Sequence, residues 1–135
     1  MSVTNANLPS PEAAADKIVS LDRLGEVTRG LRANGTRVVM CHGVFDLLHL
    51  GHIKHLEAAK EFGDVLVVTI SSDRHVNKGP GRPVFAEAMR AEMLAALQLV
   101  DWVAVSDFPH AQVAVETVLP SYYVKGDEYE NMYGW

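Results

Sequence analysis

The chain has 135 residues, 48% of them hydrophobic and 21% charged, which suits one soluble domain with a substantial core and leaves little room for a second. Its net charge of -5 argues against general affinity for nucleic acid or for an anionic membrane, so basic side chains at an anion site would have to act locally. No apolar run approaches a bilayer span, and the start of the chain has neither a charged region nor a continuous apolar one of the secretory kind, so a cytoplasmic location is the default expectation. The single cysteine, Cys41, has no intrachain partner and reads as a buried, inert thiol.

Residues 1–16 read as a flexible N-terminal tail, polar and aperiodic over Met1 to Ser10, with a possible short helix from Pro11 to Lys17. Residues 17–135 read as one domain. Leu21, Leu24, Val27, Thr28 and Leu31 form a helical stripe between a Ser20 cap and an Asn34-Gly35 stop. Gly25 and Gly30 weaken that helix by about 1 kcal/mol each relative to Ala, which packing must offset. Arg37 to Met40 is a short apolar run, as for a strand covered on both faces, and Ile53, Leu56, Ala59 and Phe62 then recur at helical spacing. Val65 to Ile70 is a second buried strand, so the pair forms a βαβ unit in a parallel sheet. The Gly- and Pro-rich stretch Asn77 to Pro83 is a turning loop carrying Lys78 and Arg82. Ala86 to Val100 reads as a helix with Met89, Met93, Ala96, Leu97 and Val100 inward and Arg90 at the edge or on the opposite side. Trp102 to Val105 is a third strand, Ala111 to Leu119 a helix, and Tyr122 to Val124 a fourth strand. This alternation specifies an α/β, Rossmann-like, doubly wound parallel sheet with helices on both faces. Ligands of such sheets lie beyond the carboxyl ends of the strands, where His42-Gly43 and Ser71-Ser72-Asp73 both fall.

The stretch from Cys41 to His52, CHGVFDLLHLGH, crosses from the first strand into the next helix. Amides at a helix start lack intrahelical partners and the dipole there favours negative charge, which makes a phosphate site plausible. Gly43 would permit a tight turn or close ligand approach, and Gly51 would keep the space before the helix open. His49 and His52, three residues apart, could project from one face and grip one anion.

This stretch resembles the H-x-G-H signature of the cytidylyltransferase-like nucleotidyltransferases, in particular the branch containing heptose 1-phosphate adenylyltransferase and glycerol-3-phosphate cytidylyltransferase. The resemblance continues in order through Gly63-Asp64, Ser72-Asp73, Lys78-Gly79, Arg82-Pro83, Arg90, Val100-Asp101 and Val124-Lys125-Gly126-Asp127. It implies transfer of AMP or CMP from ATP or CTP to a small phosphorylated sugar or polyol, with release of pyrophosphate. It further implies His49, His52 and Lys78 as catalytic residues, and Gly43, Val44, Phe45, Asp46, Gly51, Arg82, Arg90, Lys125, Gly126 and Asp127 as nucleotide- and phosphate-binding ones. Mg²⁺ is expected to bridge nucleotide oxygens, with no protein ligand assigned to it. Members of the family usually continue into an I-S-S-T or S-T-T helix that also holds phosphate, and residues 126–135 lack it. A fragment, a shortened protein or a site completed by another chain would account for that, as would a nucleotide-binding module without turnover. Tyr133 and Trp135 would then be covered in a possible homodimer.

Simpler roles stand beside each of these. Asp46 could be an ordinary turn-former, Phe45 a core residue, and Lys78, Arg82 and Arg90 solvated surface charges. Lys125 to Asp127 could be a plain turn. His42 either lines the pocket or merely ends the strand, His55 reads as a solvated helix residue, and His75 and His110 read as surface residues. A histidine metal site is the remaining alternative, since four of the six histidines fall between His42 and His55, although neither H-E-x-x-H nor paired cysteines occur.

Overall fold

A computed structural model describes residues 11–125. A 3₁₀ turn over Ala14–Lys17 leads to helix α1, Leu21–Ala33, and the chain then alternates through β1 (Val38–Gly43), α2 (Leu50–Lys60), β2 (Val65–Ser71), α3 (Glu87–Ala95), β3 (Trp102–Ser106), α4 (Gln112–Val118) and β4 (Tyr122–Tyr123). The four strands form one sheet in the order β3-β2-β1-β4, and every pairing is parallel. From β1 the chain steps outward to β2 and β3, then returns through α4 to lay β4 on the other side of β1. The order therefore reverses beside β1, and the crevice at its carboxyl end is where such sheets bind ligands.

The period of two in the strands divides the core. Val39, Cys41, Leu66, Val68, Ile70 and Val103 pack with Leu56 and Ala59 of α2 and Ala91, Leu94 and Ala95 of α3. Val38, Met40, Val67, Trp102 and Ala104 pack on the opposite face with Leu24, Val27 and Leu31 of α1 and Ala114 and Val118 of α4. Helices thus cover both faces, and Cys41 is fully enclosed, its thiol pushed up to about 12 by burial.

Local sequence explains the clearest boundaries. Ser20 caps α1 by accepting from the Arg23 amide at 3.1 Å. At the other end Gly35, at φ +85°, lets its own amide reach the Arg32 carbonyl and the Thr36 amide reach that of Leu31, both at 2.9 Å, in the double bond of a Schellman stop.

Elsewhere the structure corrects the sequence reading. The helix expected over 86–100 ends at Ala95, because the chain must turn to bring Asp101 to β2. There the Asp101 carboxylate accepts from the Leu66 amide at 2.8 Å and from Lys60 Nζ at 2.5 Å. Val100 is still buried, but from the turn. Within α3 the faces are exchanged: Met89 is 49% exposed, while Arg90, expected at the edge, is fully enclosed. Phe62 is exposed beyond α2 and lies against Tyr122, with ring centroids 5.8 Å apart. Instead of a helix over 11–17, only the short 3₁₀ turn forms, anchored where Lys17 Nζ donates to the Leu97 carbonyl at 3.1 Å.

Gly25 marks a close crossing: a Cβ there would stand 2.9 Å from the Thr117 carbonyl oxygen of α4. Helix propensity alone makes Gly25→Ala stabilising by about 1 kcal/mol, whereas overpacking costs about 1–3 kcal/mol. The expected result is a lower Tm in thermal unfolding, and a raised Tm would show that α1 and α4 part without cost.

Candidate functional site

The site is built at the carboxyl end of β1, where the chain turns through Val44-Phe45-Asp46 before entering α2. Phe45 adopts φ +51°, a left-handed conformation that costs a bulky residue about 1–2 kcal/mol. The turn folds its ring back over Gly43, so that a Cβ on Gly43 would lie 2.9 Å from Phe45 Cε2. Of the two roles expected for Gly43, a tight turn or close ligand approach, the structure shows the turn, with an aromatic ring of the same chain as the close neighbour. Phe45 is buried in the core, 5.4 Å from the His52 ring, and forms the floor beneath that imidazole.

His49 and His52 close the start of α2 themselves. His49 is the residue before the first helical position, and its Nδ1 accepts from the Gly51 amide at 3.0 Å. The amide of His49 in turn donates to His52 Nδ1 at 3.1 Å. The two rings stand 4.2 Å apart, with His49 exposed and His52 only 8% exposed. Sequence had assigned the helix-start amides directly to phosphate, yet the Gly51 amide is directed into an imidazole. A nitrogen that accepts from an amide carries no proton, so each neutral ring bears its N–H on Nε2. The rings thereby extend the donors of the helix end by one imidazole each.

Burial, then the neighbouring His49, His55 and Lys78, push the His52 pKa down to about 4 from its ordinary 6.5. His55, expected to be solvated, is buried against the same face, and burial lowers its pKa too. His42 is half-buried at the end of β1. Its Nδ1 pairs with the enclosed Thr69 hydroxyl at 2.8 Å, its Nε2 lies 3.5 Å from Ser71 Oγ, and burial lowers its pKa.

Asp46 is almost enclosed and accepts from the Val84 amide at 2.7 Å and the Phe85 amide at 2.9 Å, with Arg82 Nε 3.4 Å away. Burial alone would raise its pKa, but the amides of Phe85 and Val84 and the guanidinium groups of Arg82 and Arg90 hold it below the usual carboxylate range. It is a clasp between the signature turn and the cationic loop, in place of a turn-former bonding its own backbone. Lys78 is exposed on that loop, and its charge is felt at His52; Arg82 is half-buried. Arg90 is 0% exposed and donates to backbone carbonyls of Val44, Phe85 and Ser71 and to the Asp73 carboxylate, so its guanidinium meets protein where triphosphate oxygens had been expected. Lys125 is exposed just past β4, beside the carboxyl end of β1. Gly126 and Asp127 lie outside the described residues, as do Tyr133 and Trp135.

Sequence placed Asp73 at the carboxyl end of the second strand but gave its side chain no role. Its carboxylate accepts from the Glu87 amide at 2.8 Å while the Glu87 carboxylate accepts from the Asp73 amide at 2.9 Å. A signal existed: the residue before α3 is Ala86, which has no side-chain acceptor, so a distant group had to cap that helix. Among the described residues no group of three or more His, Cys, Asp or Glu side chains comes together as for a metal centre. Since Asp46 is also engaged, the residues described offer no cage for Mg²⁺.

A parallel sheet that presents two imidazoles on a helix start beside its order reversal has the form of a nucleotidyltransferase domain. The chain belongs to the cytidylyltransferase-like family, which it matches over residues 40–135. It is similar to the "Bifunctional protein HldE" of Geotalea uraniireducens, with 44% identity over 115 residues that make up 84% of this chain and 24% of the relative. The protein of the same name from Campylobacter fetus is 44% identical over 126 residues, 91% of this chain and 27% of the relative. The chain therefore spans about a quarter of the length of these curated relatives. Among solved structures it is similar to a lipopolysaccharide core biosynthesis protein from Thermoplasma volcanium, with a TM-score of 0.61 and 35% identity, covering 66% of this chain and 73% of that one.

The lowered His52 pKa fixes the sign of a pH effect. Below 6.5 the unfolded chain takes up a proton that folded His52 refuses until about pH 4, so stability is full above pH 6.5 and falls across that window. At about 1.4 kcal/mol per pH unit the loss from this group is about 3 kcal/mol, with His42 and His55 adding in the same direction. Urea unfolding at a series of pH values should show this decline and a shallower one in His52→Asn. Equal slopes in the two proteins would contradict the assignment.

Proposed function

We propose that this domain transfers a nucleotidyl group, adenylyl by preference, from a nucleoside triphosphate to a small phosphorylated sugar of the heptose 1-phosphate class. A phosphate oxygen of the acceptor attacks the α-phosphorus of the nucleotide, the bond from that phosphorus to the bridging oxygen of the β-phosphate breaks, and pyrophosphate leaves with the electron pair. The nucleophile is already an anion, so no general base is required. What the reaction demands is that two repelling anions be aligned and that the charge growing at phosphorus meet fixed donors.

The observation that carries this reading is the pair of rings 4.2 Å apart with both Nδ1 atoms tied to backbone amides. In the proposed reaction both Nε2–H groups donate to one phosphoryl group. A neutral imidazole remains able to strengthen its bond as charge builds, and the depressed His52 pKa keeps that ring neutral before substrate arrives. Lys78 and Arg82, on a loop clasped to the signature turn, supply charge for the remaining phosphate oxygens, with Lys125 beside β1 available to the nucleotide. Mg²⁺, where it takes part, would arrive with the nucleotide.

The heptose reading follows the similarity to the HldE proteins and the resemblance of the Lys78-Gly79, Arg82-Pro83 and Val124-Lys125-Gly126 segments to the adenylyltransferase branch. Transfer of CMP to glycerol 3-phosphate is the second reading, favoured by Gly126-Asp127-Glu128-Tyr129.

A matrix of ATP and CTP against heptose 1-phosphates, other sugar phosphates and glycerol 3-phosphate, read by pyrophosphate release, separates these outcomes. ATP with a heptose 1-phosphate is expected to be the productive pair. Nucleotide binding with no pyrophosphate from any acceptor would make the domain a binding module instead. His52→Asn keeps an oxygen where Nδ1 accepts and should fold while losing about 100- to 1000-fold in rate, the cost of deleting one preorganised donor. His52→Gln, which restores a donor near Nε2, should recover part of that loss. Full pyrophosphate release by His52→Asn would overturn the proposed role.

A further inference from the structure

We propose that Arg90 is a positioning residue for nucleotidyl transfer, holding the signature turn and the cationic loop at a fixed separation without touching either substrate; the inference rests on the function proposed above. Its side chain is fully enclosed, which removes it from any guest. Its donors go to four acceptors: Nη1 to the carbonyls of Val44 at 2.9 Å and Ser71 at 2.8 Å, Nε to the carbonyl of Phe85 at 2.9 Å, and Nη2 to Asp73 Oδ1 at 2.8 Å. These belong to three segments far apart in sequence. Val44 opens the turn that leads to His49 and His52, Ser71 and Asp73 end and follow β2, and Phe85 closes the loop that carries Lys78 and Arg82.

The backbone of Phe85 is held at both its amide and its carbonyl. Its amide is bound by Asp46 and its carbonyl by Arg90, while Arg90 also binds Val44, two residues before Asp46. The result is a closed brace in which neither the turn nor the loop can shift alone. Val44 lies just beyond the last residue of β1 and Ser71 is the last of β2, so these carbonyls stand where the ladder runs out and need a donor from elsewhere. A guanidinium fork can meet acceptors on several sides at once; an ammonium cannot span them from a single nitrogen. A buried charge is expensive, and the Asp73 carboxylate, with Asp46 close enough to feel Arg90, offsets that cost.

The full chain carrying Arg90→Lys is the principal test, with Arg90→Ala assayed with and without millimolar guanidinium. The remote Gly25→Ala serves as a control for lost stability. At a temperature where all are folded by circular dichroism, Arg90→Lys should lose about 100-fold in kcat/KM, mostly in kcat, as for reacting groups displaced by about an ångström. Guanidinium should restore activity to Arg90→Ala and not to His52→Ala, and Gly25→Ala should keep wild-type kcat/KM. Wild-type kcat and KM in Arg90→Lys, or an equal loss in Gly25→Ala, would overturn the proposal. Should the wild-type chain release no pyrophosphate from any substrate pair, the proposed function fails, and hydrogen exchange then judges Arg90 independently. The amides of Val84 and Phe85 should exchange faster in Arg90→Lys while those of α1 keep their protection, and unchanged exchange at those two amides would refute the brace.

Discussion

Two backbone amides at the start of α2 donate into the Nδ1 atoms of His49 and His52, and the rest of the site is arranged around that arrangement. A helix start ordinarily offers its unpaired N–H groups directly to an anion. Here two imidazoles take up such groups, each accepting on one edge and carrying its proton on the other. The reach of the helix end is extended by the width of a ring, and ring orientation and tautomer are set by the backbone. The same bonds satisfy amides that would otherwise be orphaned, so this piece of chemistry is also the cap that terminates the helix.

A donor array of this kind is useful only if its spacing from the neighbouring cations is kept. The fold supplies that spacing through paired polar groups. Asp46 binds the Phe85 amide and Arg90 its carbonyl, and Asp73 with Glu87 caps α3 from across the site. Asp46 and Arg90 are enclosed and each alone would be costly to bury, so removal of one would leave an uncompensated charge worth about 3–5 kcal/mol, whereas the Asp73 side chain is half-exposed. Phe45 contributes differently, accepting a left-handed backbone so that its ring can fill the space over Gly43 and support His52.

Much of this could be read from the chain, and the remainder has physical causes. The alternation of buried strands with helices was legible because a parallel sheet covered on both faces leaves continuous apolar runs such as Val38 to Cys41 and Val65 to Ile70. Ser20 and Asn34-Gly35 marked the ends of α1 because capping is local. The faces of α3 were misread because Met89 and Met93 outweigh an arginine on any hydropathy scale, while the enclosure of Arg90 depends on carbonyls from three other segments. His55 was placed in solvent for a similar reason, since its neighbours come from the tertiary fold. The histidine pair was found by spacing and by resemblance. That its members bond to the helix backbone is a geometric fact that spacing alone does not reveal, because His is not a customary capping residue.

The most direct measurement is the tautomer of the two rings, read from long-range ¹H–¹⁵N correlations of imidazole nitrogens at pH 8 in the chain without nucleotide. Both His49 and His52 should carry the proton on Nε2, with Nδ1 unprotonated and hydrogen-bonded, and adding ATP should perturb the Nε2 signals more than the Nδ1 signals. A proton on Nδ1 of either ring, or rapid averaging between the two tautomers, would show that the helix amides do not hold these rings.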